Sequence, residues 1–142
     1  MPAGTIATAD EGPYAAAVAA AWQDVGPNEL LIGAGGSGQS FAPAAAIAAS
    51  LARPGRRAVA FTDAAGLAAA GDAMATAQRL GAPVVLIGLS AAGETPSTGA
   101  GAPAAAVAQN EDELARAMHR ALAAGGPSVI HAGVRRRQGS PV

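Results

Sequence analysis

A chain of 142 residues is long enough for one domain, and a domain of this size buries about two-thirds of the surface its unfolded form exposes. Its nine basic residues, all arginine, nearly balance ten acids to a net charge of −1, which gives no electrostatic case for nucleic acid. The absence of cysteine excludes disulfides, thiolate nucleophiles and cysteine metal sites, and His119 and His131 form no ligand-spaced motif.

Residues 1–12 are small and polar without a period and read as a flexible N-terminal arm. Residues 13–24 carry Tyr14, Val18, Ala21 and Trp22 at helical spacing behind Pro13, a favourable first helical residue. The apolar run 29–32 reads as a strand and feeds the glycine-rich segment 33–38, which precedes a helix over 41–52. Residues 57–62 are apolar enough for a strand covered on both faces. A turn over 63–66 leads to a helical stripe of Leu67, Ala70, Met74, Ala77 and Leu80, ended by Gly81. Residues 83–89 form the clearest strand, and 90–103 a loop rich in Gly, Ser, Thr and Pro. A short strand over 104–108 precedes a helix over 110–123, with Asn110 and Glu113 spaced as a capping box. Residues 128–132 are a final strand, and Arg135-Arg136-Arg137 opens a solvated basic tail over 135–142.

Helices alternating with buried strands predict a three-layer α/β/α sandwich with a mainly parallel sheet, built from residues 13–134. Ligands in such sheets lie outside the carboxyl ends of the strands, here the turns at 33–40, 63–66 and 90–101. The N-terminus lacks the basic-then-apolar order of a signal peptide, and Asp, Gln, Pro and Gly interrupt the alanine runs before a membrane-spanning length. A cytoplasmic protein with no membrane partner is the expectation.

Residues 36–89 resemble the diphosphate-binding domain of thiamine-diphosphate-dependent enzymes of the decarboxylase and acetolactate-synthase type. Ser37-Gly38-Gln39-Ser40-Phe41-Ala42-Pro43-Ala44-Ala45-Ala46-Ile47-Ala48-Ala49 is similar, without a gap, to that family's Gly-Ser-Met-Gly-Tyr-Ala-x-Pro-Ala-Ala-Ile-Gly-Ala. Leu51-Ala52-Arg53-Pro54, Val59-Ala60-Phe61-Thr62, Met74-Ala75-Thr76-Ala77 and Gly81-Ala82-Pro83-Val84-Val85 continue in the same register. The resemblance implies the thiamine-diphosphate-binding fold, with thiamine diphosphate and magnesium as cofactors. It places Gly36, Ser37, Gly38, Gln39, Asp63, Ala64, Ala65, Gly66 and Ser90 at the cofactor.

In the family, a Gly-Asp-Gly and a later Asn hold the magnesium that bridges the diphosphate, because this ion asks for hard oxygen ligands. In register these fall on Asp63-Ala64-Ala65 and Ser90-Ala91, so Asp63 and Ser90 are the metal candidates of a degenerate motif. Asp63 also suits the cap of the following helix, and the 35–38 glycines serve equally as a phosphate cradle or a flexible turn. His131 reads as a satisfied structural histidine, His119 as solvated, and Trp22 and Tyr14 as core or interface anchors.

The family's pyrimidine-binding domain shares this rhythm and carries a Glu before its first helix. In that register the residue is Gln39, which cannot exchange a proton. The resemblance therefore implies one subunit of a split thiamine-diphosphate-dependent 2-oxo-acid decarboxylase or carboligase, a homo- or hetero-oligomer completed by a partner subunit that supplies the pyrimidine-binding domain. The alternative is a non-catalytic scaffold or regulatory subunit that keeps the fold without the cofactor. A third reading, a small nucleotide-binding domain using the 33–38 loop, lacks both a P-loop lysine and an acidic ribose-binding residue.

Overall fold

Among the described residues of the computed structural model every strand pairing is parallel, and six strands form one sheet in the order β2-β1-β3-β4-β6-β5. The structure describes residues 4–12, 14–22, 29–33, 41–94 and 98–135. In chain order the elements are β1 Ile6–Ala9, α1 Ala15–Ala21, β2 Leu30–Ile32, α2 Phe41–Ala52, β3 Ala58–Asp63 and α3 Ala64–Ala69. They continue with α4 Gly71–Leu80, β4 Val84–Ala91, β5 Ala105–Ala108, α5 Glu111–Ala124 and β6 Ser128–Val134.

Side-chain alternation on the strands sorts the core into two layers. Ala58, Ala60, Val84, Leu86 and Val129 face α2, α3 and α4, where Ala42, Ala46, Leu67, Met74 and Ala77 complete the cluster. Val59, Val85, Ile87 and Ile130 face the other way, onto Ala117, Met118 and Ala121 of α5. On that second face Trp22, at the end of α1, meets Phe61 edge-on with ring centroids 6.1 Å apart. The three-layer α/β/α sandwich with a parallel sheet is thus the observed architecture. Its core is made from small residues: Ala42, Ala46, Ala58, Ala60 and Ala77 are fully buried, so helix and sheet backbones approach closely.

Three expectations need correction. The flexible N-terminal arm contains β1, whose four residues are all buried and which lies inside the sheet between β2 and β3. The turn over 63–66 is the first turn of α3, which gives way to α4 at Ala70. The 90–103 loop begins later than its composition suggests, because β4 continues to Ala91 through pairing with β6, Ser90 opposite Gly133. Gly81 does cap α4 in the left-handed conformation at φ 62°, where a residue without Cβ is unstrained.

α3 and α4 are sealed by a close backbone approach. A Cβ on Gly71 would run into the Ala100 carbonyl, and one on Gly99 would stand 2.5 Å from the Gly71 nitrogen. The segment after β4 is thereby fastened to the helices beside the carboxyl edge of the sheet.

Candidate functional site

The chain passes from β1 outward to β2, then returns across β1 to β3. This reversal opens a crevice at the carboxyl ends of β1 and β3, the place where open parallel sheets bind ligands. Asp10, immediately after β1, is 6% exposed there. Its Oδ1 accepts the Ala42 N–H of α2 at 2.7 Å, and its Oδ2 accepts the Thr62 hydroxyl at 2.6 Å. Thr8 donates to the Ala42 carbonyl at 2.7 Å. A carboxylate at the positive end of α2 is favourable on both hydrogen-bonding and dipole grounds. Gly66 completes the knot, since a Cβ there would collide with the Thr62 hydroxyl.

One strand further along, Asp63 lies opposite Leu89, next to Ser90. Asp63, Ala64, Ala65 and Ser90 line a common cleft of about 230 Å³ with Tyr14, Leu89, Ala91 and Glu94. The parallel sheet therefore brings together four of the residues the sequence nominates. Gly66 is buried beneath Asp10 and Thr62 and is absent from the cleft lining. Gly36, Ser37, Gly38 and Gln39 lie outside the described residues.

Asp63 caps α3, its Oδ1 accepting the Gly66 N–H at 2.8 Å. Ser90 is 3% exposed, and its hydroxyl lies 2.5 Å from Nε2 of His131. His131, on β6, points to the same face two register positions away: it pairs with Gly88, and Ser90 with Gly133. Burial lowers the His131 pKa below the ordinary histidine value, and the nearby Glu94 charge opposes that shift. The expectation of a satisfied histidine holds only for Nε2. Nδ1 is buried without a hydrogen-bond partner among the described residues, an arrangement that costs about 1–3 kcal/mol for a polar group.

Magnesium needs several oxygen ligands in a near-octahedral shell. Asp63 commits one oxygen to its cap, Ser90 is held by His131, and no group of three or more His, Asp or Glu side chains converges among the described residues. The described residues do not fit a resident divalent cation. Among the described residues the cleft also sets two carboxylates, Asp63 and Glu94, against no arginine, so these residues by themselves do not suit a diphosphate.

Asp10, Thr62, Tyr14 and Glu94 escape sequence reasoning. Asp10 follows β1, whose segment has no hydrophobic signature, Tyr14 reads from its helical spacing as a core or interface anchor rather than a cleft residue, and the Thr62 and Glu94 contacts depend on strand order. For Asp10, an acid followed by Glu11-Gly12 is the available signal of a strand-to-helix turn.

Comparison with solved structures identifies the fold. The chain superposes, with a TM-score of 0.72 and 19% identity, on a protein from Mycobacterium smegmatis assigned as a thiamin diphosphate-dependent enzyme, covering 96% of this chain and 29% of that one. It superposes with a TM-score of 0.64 and 21% identity on the thiamine diphosphate-dependent 4-hydroxybenzoylformate decarboxylase of Rhodococcus jostii RHA1, covering 80% of this chain and 26% of that one. No family model and no curated protein matches the sequence. The class these findings define is an α/β domain with the fold found in thiamine-diphosphate-dependent enzymes, spanning under a third of the length of either neighbour. Among the described residues no helix is long and apolar enough to cross a membrane.

Proposed function

We propose that this chain is one subunit of a split thiamine-diphosphate-dependent 2-oxo-acid decarboxylase or carboligase, active only with a partner chain. The observation that carries the reading is the cleft at the carboxyl edge: the turns after β3 and β4, which the family resemblance assigns to the cofactor's diphosphate, meet in one place. The share of each neighbour covered, 29% and 26%, agrees with a unit that needs further domains. In this reading a homologous partner supplies the pyrimidine-binding domain, and the assembly works in the cytoplasm.

Thiamine diphosphate, were it held in the assembled site, would supply the nucleophilic chemistry toward a 2-oxo acid. This chain's own part is to close one wall of the site and exclude water, with Leu89, Ala64 and Ala65 as the apolar surface. Titration of thiamine diphosphate with magnesium into the isolated chain and into the complex purified with its native partner tests this. Binding by the complex alone supports it, and binding in neither state removes it.

A second reading, a non-catalytic scaffold or regulatory subunit, is favoured by one specific observation: both metal-equivalent side chains are engaged internally, Asp63 with Gly66 and Ser90 with His131. It predicts that Ala64→Asp with Ala91→Asn leaves the fold intact. It fails if the complex keeps full activity when this subunit is omitted.

A further inference from the structure

A second cleft, of about 460 Å³, opens on the α5 side of the carboxyl edge, between the ends of β4, β5 and β6 and the start of α5. Leu89 separates it from the Asp63 cleft, since it lines both. We propose that this cleft binds a small zwitterion with an apolar body, of the size and charge of an aliphatic α-amino acid such as leucine.

The volume falls in the range of small-molecule sites, which combine an apolar floor with a few polar groups that fix orientation. Leu89, Leu114 and Val134 supply the floor, and Gln109, Glu111 and Arg135 the polar rim. Glu111 and Arg135 are exposed, and neither forms an ion pair among the described residues, where the pair present is Arg56 with Glu29. Opposite charges that line one cleft and do not pair with each other leave both heads open to a ligand. Gln109 is fixed in place: its Oε1 accepts the Gly93 N–H at 3.4 Å and its backbone N–H donates to Glu113 at 2.7 Å. This leaves its side-chain amide N–H groups as donors.

A ligand carboxylate therefore meets the Arg135 guanidinium and the Gln109 amide, in charge-assisted hydrogen bonds. The ammonium meets Glu111, and the aliphatic chain lies on Leu89, Leu114 and Val134. A plain carboxylic acid would face Glu111 uncompensated, and a plain amine would face Arg135. Among the described lining residues, a phosphorylated ligand would find one cation against one carboxylate. The zwitterion alone matches both charges.

The test uses the full chain and three isosteric probes, L-leucine, 3-methylbutylamine and 4-methylpentanoate, titrated by NMR or calorimetry. Leucine is expected to bind saturably, with each singly charged probe at least about tenfold weaker, the loss of one charged contact of about 1.4 kcal/mol. Arg135→Gln should weaken leucine to the level of the amine, and Glu111→Gln to the level of the acid. Both residues are exposed, so circular dichroism should show the fold unchanged. Failure of leucine to bind by about 10 mM, a level weaker than ordinary metabolite sites, overturns the proposal. So does either probe matching leucine, or both variants binding it undiminished.

Discussion

Asp10 satisfies a helix N–H and a threonine hydroxyl from a position almost closed to water. Asp10→Ala removes both acceptors and leaves the Ala42 N–H and the Thr62 hydroxyl without partners, so it should cost about 2–3 kcal/mol, read as a lower urea midpoint. Asp10→Asn keeps one acceptor and should cost less. His131 makes a pH prediction. Its folded pKa is lowered by burial, so as pH falls the unfolded chain takes up the proton first. The stability it contributes is complete above its unfolded pKa of about 6.5 and is lost progressively as pH drops through the folded value. Urea midpoints should therefore decline between about pH 7 and pH 5, and His131→Gln should flatten that decline. A slope unchanged by the substitution would show that the imidazole does not carry it.

At the scale of elements, the caps were legible and the close approaches were not. Asn110 accepts the Glu113 N–H at 2.9 Å, and Glu113 reaches back to the Gln109 N–H, one residue further than an ideal capping box. Asn110→Ala should cost about 1 kcal/mol and lower Tm by about 3 °C. Gly71 carries no sequence sign of its role, because its constraint is the Ala100 carbonyl across the fold. Gly71→Ala, which would raise helix propensity in an isolated helix, should instead destabilise by about 2 kcal/mol or more through overpacking. Differential scanning calorimetry of the two variants checks both signs. β1 was invisible for a related reason. Ile6-Ala7-Thr8-Ala9 has neither strong β propensity nor alternation, and it is a strand because β2 and β3 pair with it on both sides.

At the scale of the molecule, the parallel sandwich followed from alternating buried strands and helices, and the meeting of Asp63 with Ser90 at one edge followed from that sheet. The contact between Ser90 and His131 did not: the residues are 41 apart in sequence and meet only because β6 inserts between β4 and β5. That insertion turns a hydroxyl nominated as a metal ligand into the partner of a buried imidazole. The central claim, that this fold serves a thiamine-diphosphate enzyme only in company, is tested most directly by calorimetric titration of thiamine diphosphate with magnesium into the chain alone and into its native complex. The account predicts no heat of binding for the chain alone and saturable binding for the complex. Saturable binding by the isolated chain, or none by either, would contradict it.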